Sequence, residues 1–117
     1  MKEGDVVLTP IPQADGAVKN RPAIILREMP PYGDFLVSGV STQLDEEVKG
    51  FDDVISREDD DFESSGLRTT SLVRLGFLAV LPSVQIIGTI GSLSSVRHRK
   101  LLENLSDYLI KREGSKA

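Results

Sequence analysis

The chain has 117 residues, of which 39% are hydrophobic and 27% are charged, and its formal net charge is −4. A chain of this length can bury a modest core, so we expect one domain over residues 1–117. No cysteine and only one histidine are present, which excludes disulfides, thiolate chemistry and multi-histidine metal sites. We also expect no membrane span, no signal peptide and, by default, a cytoplasmic location.

Two aliphatic runs, residues 5–8 and 23–26, predict two strands joined by a polar loop. The loop carries turn chemistry and ends on Arg21, directly before Pro22. Proline biases the preceding residue toward an extended backbone, so this arrangement can hold a guanidinium at a defined place beside a sheet. From spacing alone, Arg21 is more typical of a surface arginine at the end of a loop.

A third strand is predicted over residues 35–40, followed by the hydroxyl side chains of Ser41 and Thr42. Hydroxyls at a strand end commonly bind nearby backbone groups. The next region, from Gln43 to Glu63, contains ten acidic and two basic residues. We expect a short edge strand within residues 51–56 and a solvated loop for the acidic run 58–61.

Three further runs predict strands over residues 69–75, 77–81 and 84–90, the last of them ended by Gly91. A helix then begins after Ser94, a good N-cap residue, with Gly114 as its stop signal. Its apolar residues recur three and four positions apart and predict one buried face: Leu101, Leu102, Leu105, Tyr108 and Leu109.

Three cations and one histidine, Arg97, His98, Arg99 and Lys100, crowd the first turns of this helix, where the helix dipole disfavours positive charge. His98 belongs to this group and is more typical of a surface or packing residue than of a catalytic one. An acidic partner, a phosphate backbone or a plain solvated face would each account for the cluster.

Short strands followed by one amphipathic helix predict a mainly β fold, in which a bent antiparallel sheet closes on itself and packs against the helix. No nucleophilic triad, phosphate-binding loop or zinc ligand set is present. The remaining candidate chemistry is an arginine near a hydroxyl cluster. A guanidinium can donate two hydrogen bonds to a phosphodiester and stabilise developing charge, and RNA can supply its own nucleophile.

Three blocks of the sequence resemble the MazF/PemK family of toxin–antitoxin toxins. The first is residues 4–26, with a Gly-Asp start and Arg-Pro before an aliphatic strand. The second is Val40-Ser41-Thr42-Gln43, and the third runs from residue 66 through residue 94 into the helix. Their order and spacing cover most of the chain.

The resemblance implies an SH3-like β-barrel with a C-terminal α-helix, usually a homodimer inhibited by a cognate antitoxin. It also implies sequence-specific cleavage of single-stranded RNA without metal or cofactor. The 2′-hydroxyl would attack the phosphate, leaving a 2′,3′-cyclic phosphate and a 5′-hydroxyl.

Family positions map onto specific residues of this chain. Arg21 falls on the catalytic arginine, and Ser41 on the catalytic hydroxyl, with Thr42 as the fallback if the register is off by one. Because an arginine is a poor proton shuttle, we expect charge stabilisation from Arg21. Residues expected to flank the RNA are Lys19, Asn20, Thr42 and Gln43.

The sequence departs from the family in its acidic stretch, which would weaken phosphate binding, and in its few aromatics. The aromatic candidates for base stacking near the loops are Tyr32, Phe35, Phe51 and Phe62. Two alternatives therefore stay open: a non-catalytic toxin that binds a protein on the same barrel, as gyrase poisons do, and an inactive toxin remnant.

Overall fold

The structure, a computed structural model, describes residues 1–12 and 15–111. Six strands form one antiparallel sheet, an open half-barrel with the order β4-β5-β3-β2-β1-β6. The prediction of a mainly β fold with a C-terminal helix is confirmed. The strands are β1 Asp5–Pro12, β2 Val18–Met29, β3 Asp34–Ser41, β4 Asp53–Ile55, β5 Ser71–Leu81 and β6 Gly88–Ser92.

Within the described residues, two α-helices and two short 3-10 turns accompany the sheet. The helices are α1 Phe62–Ser65 and α2 Ser95–Ile110, and the turns are Leu44–Glu46 and Ser83–Gln85. The Ser94 hydroxyl accepts a hydrogen bond from the Arg97 backbone N–H at 3.1 Å, which confirms the predicted N-cap. Gly114 lies outside the described residues. Among the described helices, none has the length and apolar character needed to cross a membrane.

The first hairpin is longer than the sequence predicted. Arg21 lies within β2, opposite Thr9 of β1, and not in a loop. Pro10 is tolerated because of where its backbone points. The Leu8 carbonyl accepts a hydrogen bond from the Ile87 N–H, so the backbone groups of Leu8 face β6, and those of Pro10, two residues on, face the same side. The pairing of β1 with β6 ends at Leu8. The missing N–H of Pro10 therefore faces a stretch where no ladder bond is required.

The later strands also differ from prediction. Residues 71–81 form one strand, β5, where two were expected. In its pairing with β3, Arg74 lies opposite Gly39 but Leu78 lies opposite Ser38, so residues 75–77 form a bulge in β5. This bulge falls where the sequence predicted a gap between two strands. Gly91 continues β6, opposite Val6, where it was expected to end the strand.

The sheet separates two apolar clusters, because successive side chains of each strand point to opposite faces. On the α2 face, Ile24 and Val40 pack with the helix residues Leu101 and Leu105. The opposite face carries the second cluster: Val7, Ala23, Ile25, Phe35, Val37 and Ile86.

The predicted apolar face of the helix is confirmed only as far as Leu105. Leu101 and Leu105 are buried and Leu102 packs against the same cluster, whereas Tyr108 and Leu109 are exposed. Tyr108 instead contacts Phe51, with the ring centroids 4.8 Å apart.

Candidate active site

Continuing the β2–β3 register two residues past its last pair, Ala23–Gly39, places Arg21 level with Ser41 on the neighbouring strand. The β2–β3 register pairs Ile24 with Ser38 and Ala23 with Gly39, and two further steps along both strands bring Arg21 opposite Ser41. Alternation of side chains places residues 21 and 41 on the same face as Ala23 and Gly39. The two residues proposed from the sequence as catalytic therefore share one face and one level of the sheet.

Pro22 explains why β2 and β3 separate at this level. The Ile25 carbonyl accepts from the Gly4 N–H on the β1 side, so Pro22, three positions earlier, directs its backbone toward β3. Proline has no N–H to donate, and the β2–β3 ladder ends at Ala23–Gly39. The strands thus part beside Arg21 and Ser41, which opens the end of the sheet there.

The Ser41 hydroxyl has a local partner. Its oxygen accepts a hydrogen bond from the Gln43 backbone N–H at 3.0 Å, as expected for a hydroxyl at a strand end. A hydroxyl carries one donor and two lone pairs, so this bond leaves the Ser41 O–H able to donate to a phosphate oxygen. Thr42 and Gln43 follow β3 and are exposed.

The other predicted contact residues lie on both faces of β2. Lys19 is opposite Ile11 and Asn20 is opposite Pro10, and both are exposed. Strand alternation places Lys19 on the face of Arg21 and Asn20 on the reverse face. Strand alternation thus places Lys19, Arg21 and Ser41 on one face of the sheet, with Asn20 on the other.

A cavity of about 350 Å³ lies on the same face, two residues along β2 and β3 from Arg21 and Ser41, where Ala23 and Gly39 line it. Phe77 of β5 forms part of it, and a Cβ added at Gly39 would lie 2.7 Å from the Phe77 Cδ2 atom. Sequence reasoning missed this residue; a glycine inside a strand, here Gly39, was the available sign of such a close approach. The cavity is lined by Thr9, Pro10, Ala23, Val37, Gly39, Phe77, Ala79, Leu81 and Gln85.

The aromatic residues expected to stack on bases lie elsewhere. Tyr32 is exposed, but it follows β2 at the end opposite to Arg21. Phe35 is buried in the second apolar cluster, while Phe51 and Phe62 pack against the cluster on the α2 face. Phe35, Phe51 and Phe62 therefore serve the two apolar clusters.

The acidic run 58–61 forms a turn that is only partly solvated: Glu58 and Asp60 are exposed, as expected, whereas other acidic residues of the stretch are not. Asp52, Asp53 and Asp61 are buried. Asp52 accepts from the backbone N–H groups of Val48 and Leu75, both at 2.9 Å. Buried carboxylates need such partners, so much of this stretch is internal structure.

Arg97 at the start of α2 is the cationic partner of the other acidic residues. Its Nη1 donates to Asp53 Oδ2 and its Nη2 donates to Asp59 Oδ2, both at 2.7 Å, and the side chain is 12% exposed. Lys100 adds a bond to Asp53 at 3.0 Å. Of the three explanations left open for the basic cluster, an acidic partner within the same chain accounts for these two residues.

The pKa values follow from this network. Burial alone would raise the pKa of Asp61, but hydrogen bonds from Arg97 and from the Ser94 N–H, with the Arg97 charge, lower it. The Ser56 N–H lowers the pKa of Asp59, and Arg97 lowers it further. Burial opposes the charge of Arg97, yet its bonds to Asp61 and Asp59 raise its pKa. All of these groups are therefore charged at neutral pH.

His98 has a packing role, as expected. Its Nε2 atom lies 2.8 Å from the Leu26 carbonyl oxygen, and the ring sits beside Gly4. Within residues 1–12 and 15–111, no group of three or more His, Cys, Asp or Glu side chains is arranged to hold a metal ion.

The sequence matches no protein-family model and no curated protein. Its structure, however, is similar to that of a solved Mycobacterium tuberculosis protein described as toxin MazF-mt6. The two superpose with a TM-score of 0.64 over 90% of this chain and 95% of the toxin chain, at 18% sequence identity. The chain therefore has the fold of a MazF toxin, which confirms the fold expected from the resemblance to the MazF/PemK family.

Proposed function

We propose that this protein belongs to the MazF/PemK family and is an endoribonuclease toxin of a toxin–antitoxin system. The observation that carries the proposal is the position of Ser41, level with Arg21 where β2 and β3 part, in a chain with the MazF fold. Single-stranded RNA is the substrate. A cognate antitoxin protein and a second copy of the chain are the partners, and the site of action is the cytoplasm.

The reaction needs no protein nucleophile. The substrate 2′-hydroxyl attacks the adjacent phosphorus and loses its proton, the bond from phosphorus to the 5′-oxygen breaks, and that oxygen gains a proton. The products are a 2′,3′-cyclic phosphate and a 5′-hydroxyl. No metal or cofactor is required in this scheme.

Arg21 and Ser41 stabilise the charge that develops on the phosphate. A planar guanidinium donates two parallel hydrogen bonds to two phosphate oxygens, which a lysine cannot do. The Ser41 O–H donates to one of the same oxygens. Donors held on a sheet need little rearrangement when the charge appears, and this makes them effective.

Lys19 on β2, with Thr42 and Gln43 after β3, flanks the RNA, whereas Asn20 lies on the reverse face of β2 and reaches the RNA only beyond the edge of the sheet. Lys19 lies two residues from Arg21 on the same face and contacts a neighbouring phosphate. Gln43 carries both donors and acceptors and contacts a base edge or a ribose. Thr42 replaces Ser41 as the phosphate donor if the register of the family motif is shifted by one residue.

The test is incubation of the purified protein with a long single-stranded RNA in EDTA, beside the Arg21→Ala variant, with the product ends mapped. Discrete cuts that end in a cyclic phosphate, and that disappear in the variant, support the proposal. A varied RNA left intact by the wild type contradicts it.

The second candidate is a toxin that acts by binding a protein. Three consecutive residues at the end of α2, Tyr108, Leu109 and Ile110, are 63%, 69% and 75% exposed. Exposed apolar side chains in one group are typical of protein contacts. Under this hypothesis Arg21→Ala leaves toxicity unchanged and Leu109→Asp removes it, whereas the nuclease hypothesis predicts the reverse.

A further inference from the structure

The cavity beside Arg21 and Ser41 has an aromatic wall that the proposed reaction does not use. Phe77 is 46% exposed, and one edge of its ring rests on Gly39. The bulge at residues 75–77 brings this side chain over β3. An aromatic ring supported by a strand on one side and open on the other is a ready stacking surface.

We propose that Phe77 stacks on one unpaired nucleobase of the RNA, and that this cavity selects the base beside the cut. The proposal rests on the proposed function, since the RNA strand is brought there by Arg21 and Ser41. Aromatic stacking is the usual way in which proteins hold the bases of single-stranded nucleic acids.

The distance from the reacting phosphate suits a neighbouring nucleotide. Arg21 is two residues from Ala23, about 7 Å along the strand, and Ala23 pairs with Gly39 beneath Phe77. Residues 21, 23, 39 and 41 share one face of the sheet. A strand whose phosphate lies between Arg21 and Ser41 therefore reaches the cavity with an adjacent base.

The lining of the cavity suits a base better than a sugar or a phosphate. Ala23, Val37 and Ala79 supply apolar contact for a flat ring. Thr9 and Gln85 also line it, and hydroxyl and amide groups can bond to the edge of a base. Its volume of about 350 Å³ falls in the range of sites that take small molecules.

The chain has no tryptophan, so a tryptophan placed at residue 77 reports on the cavity alone. The probe is a set of short single-stranded DNA oligonucleotides, which lack the 2′-hydroxyl and cannot be cut by the proposed reaction. We expect quenching of Phe77→Trp fluorescence that saturates and differs among bases. The control is Val80→Trp, on the reverse face of β5 with 54% exposure, for which we expect no quenching.

A second pair of variants measures stacking without a reporter. Phe77→Leu keeps an apolar side chain and removes the aromatic face, so we expect about tenfold weaker binding of the preferred oligonucleotide and relaxed choice of cleavage site. Phe77→Tyr keeps the ring and should bind as the wild type does.

The outcomes separate this inference from the proposed function. Base-dependent quenching in a protein that cuts no RNA supports the cavity and contradicts the nuclease. RNA cleavage with an unchanged site preference in Phe77→Leu, and no quenching in Phe77→Trp, overturns the cavity and leaves the nuclease standing. A changed oligomeric state in Phe77→Leu shows that a second copy covers the ring, and it also overturns the inference.

Discussion

Arg97 and Asp61 form a bidentate ion pair between the first turn of α2 and the acidic segment before α1. Arg97 Nε donates to Asp61 Oδ2 at 2.9 Å, and Nη2 donates to Oδ1 at 3.0 Å. Asp61 Oδ2 also accepts from the Ser94 N–H at 3.1 Å. The Asp61 carboxylate thus holds both the start of α2 and the Arg97 side chain. Its negative charge offsets the unfavourable interaction of the Arg97 cation with the N-terminal end of the helix dipole.

Removal of Arg97 should destabilise the fold. In Arg97→Met, Asp61 remains buried without its main partner and Asp53 keeps only Lys100, so we expect the free energy of unfolding to fall by about 3–5 kcal/mol. The measurement is urea unfolding at pH 7. Arg99→Met is the control, because Arg99 is exposed and, among the described residues, bonds to Glu103 four residues on, which predicts a change below about 0.5 kcal/mol. Equal losses in both variants would contradict this account.

The Asp61 contribution should depend on pH in one direction. Its pKa in the folded protein lies below the usual 3.8, so its stabilising effect is complete above that value and is lost as the pH falls through the folded pKa. We expect Asp61→Asn to be less stable than the wild type by about 2 kcal/mol at neutral pH. This difference should shrink below about pH 4, as urea unfolding over a pH series would measure; a constant difference would refute the linkage.

The local hydrophobic pattern of the sequence predicts a mainly β fold with a C-terminal helix, but it does not predict which strands pair. Aliphatic runs mark most of the strand cores, and Ser94 marks the helix start. What local pattern cannot supply is the neighbour of each strand. Pro10 fits in β1 because the pairing of β1 with β6 ends at Leu8. The two strands predicted on either side of Gly76 form one strand, β5, because a bulge at residues 75–77 lets β5 keep its pairing with β3.

The acidic segment shows that local sequence also cannot predict the partners of charged side chains. A run of carboxylates predicts solvation when only its own sequence is considered. Asp59 and Asp61 meet Arg97 from a helix 36 or more residues later, and this contact buries Asp61 while Glu58 and Asp60 stay exposed. For the candidate site, the family resemblance predicts Arg21 and Ser41, whereas the position of the Phe77 ring over Gly39 depends on a bulge that no local motif signals.

Arg21→Ala should abolish cleavage and leave the fold intact. We expect the cleavage rate to fall at least about a hundredfold, because the main donors to the phosphate are lost, and stability to change by less than about 0.5 kcal/mol. Arg21→Lys keeps the charge without the paired donors and should recover only part of the activity. Arg27→Ala, an exposed arginine of the same strand, is the control. Cleavage at the wild-type rate in Arg21→Ala would remove the assignment.

Ser41 and Thr42 can be separated by their positions. Ser41 is level with Arg21 on the same face, so Ser41→Ala should slow cleavage by about tenfold or more, through loss of a charge-assisted hydrogen bond. Ser41→Thr keeps the hydroxyl and should retain most of the activity. Thr42→Val, which keeps the side-chain shape, should have little effect. A large loss in Thr42→Val with a small one in Ser41→Ala would move the role to Thr42.

Gly91 and Gly88 of β6 offer a matched test of how α1 packs on the sheet. A Cβ added at Gly91 would collide with the Ser64 carbonyl oxygen and with Ser65 backbone atoms, whereas at Gly88 it would meet nothing within 4 Å. Backbone cannot rotate away as a side chain can, so Gly91→Ala should lower the free energy of unfolding by about 1–3 kcal/mol. Gly88→Ala should be neutral or mildly stabilising, since alanine restricts the unfolded chain. Thermal unfolding of the two variants decides the point, because equal melting temperatures would mean that α1 does not rest on Gly91.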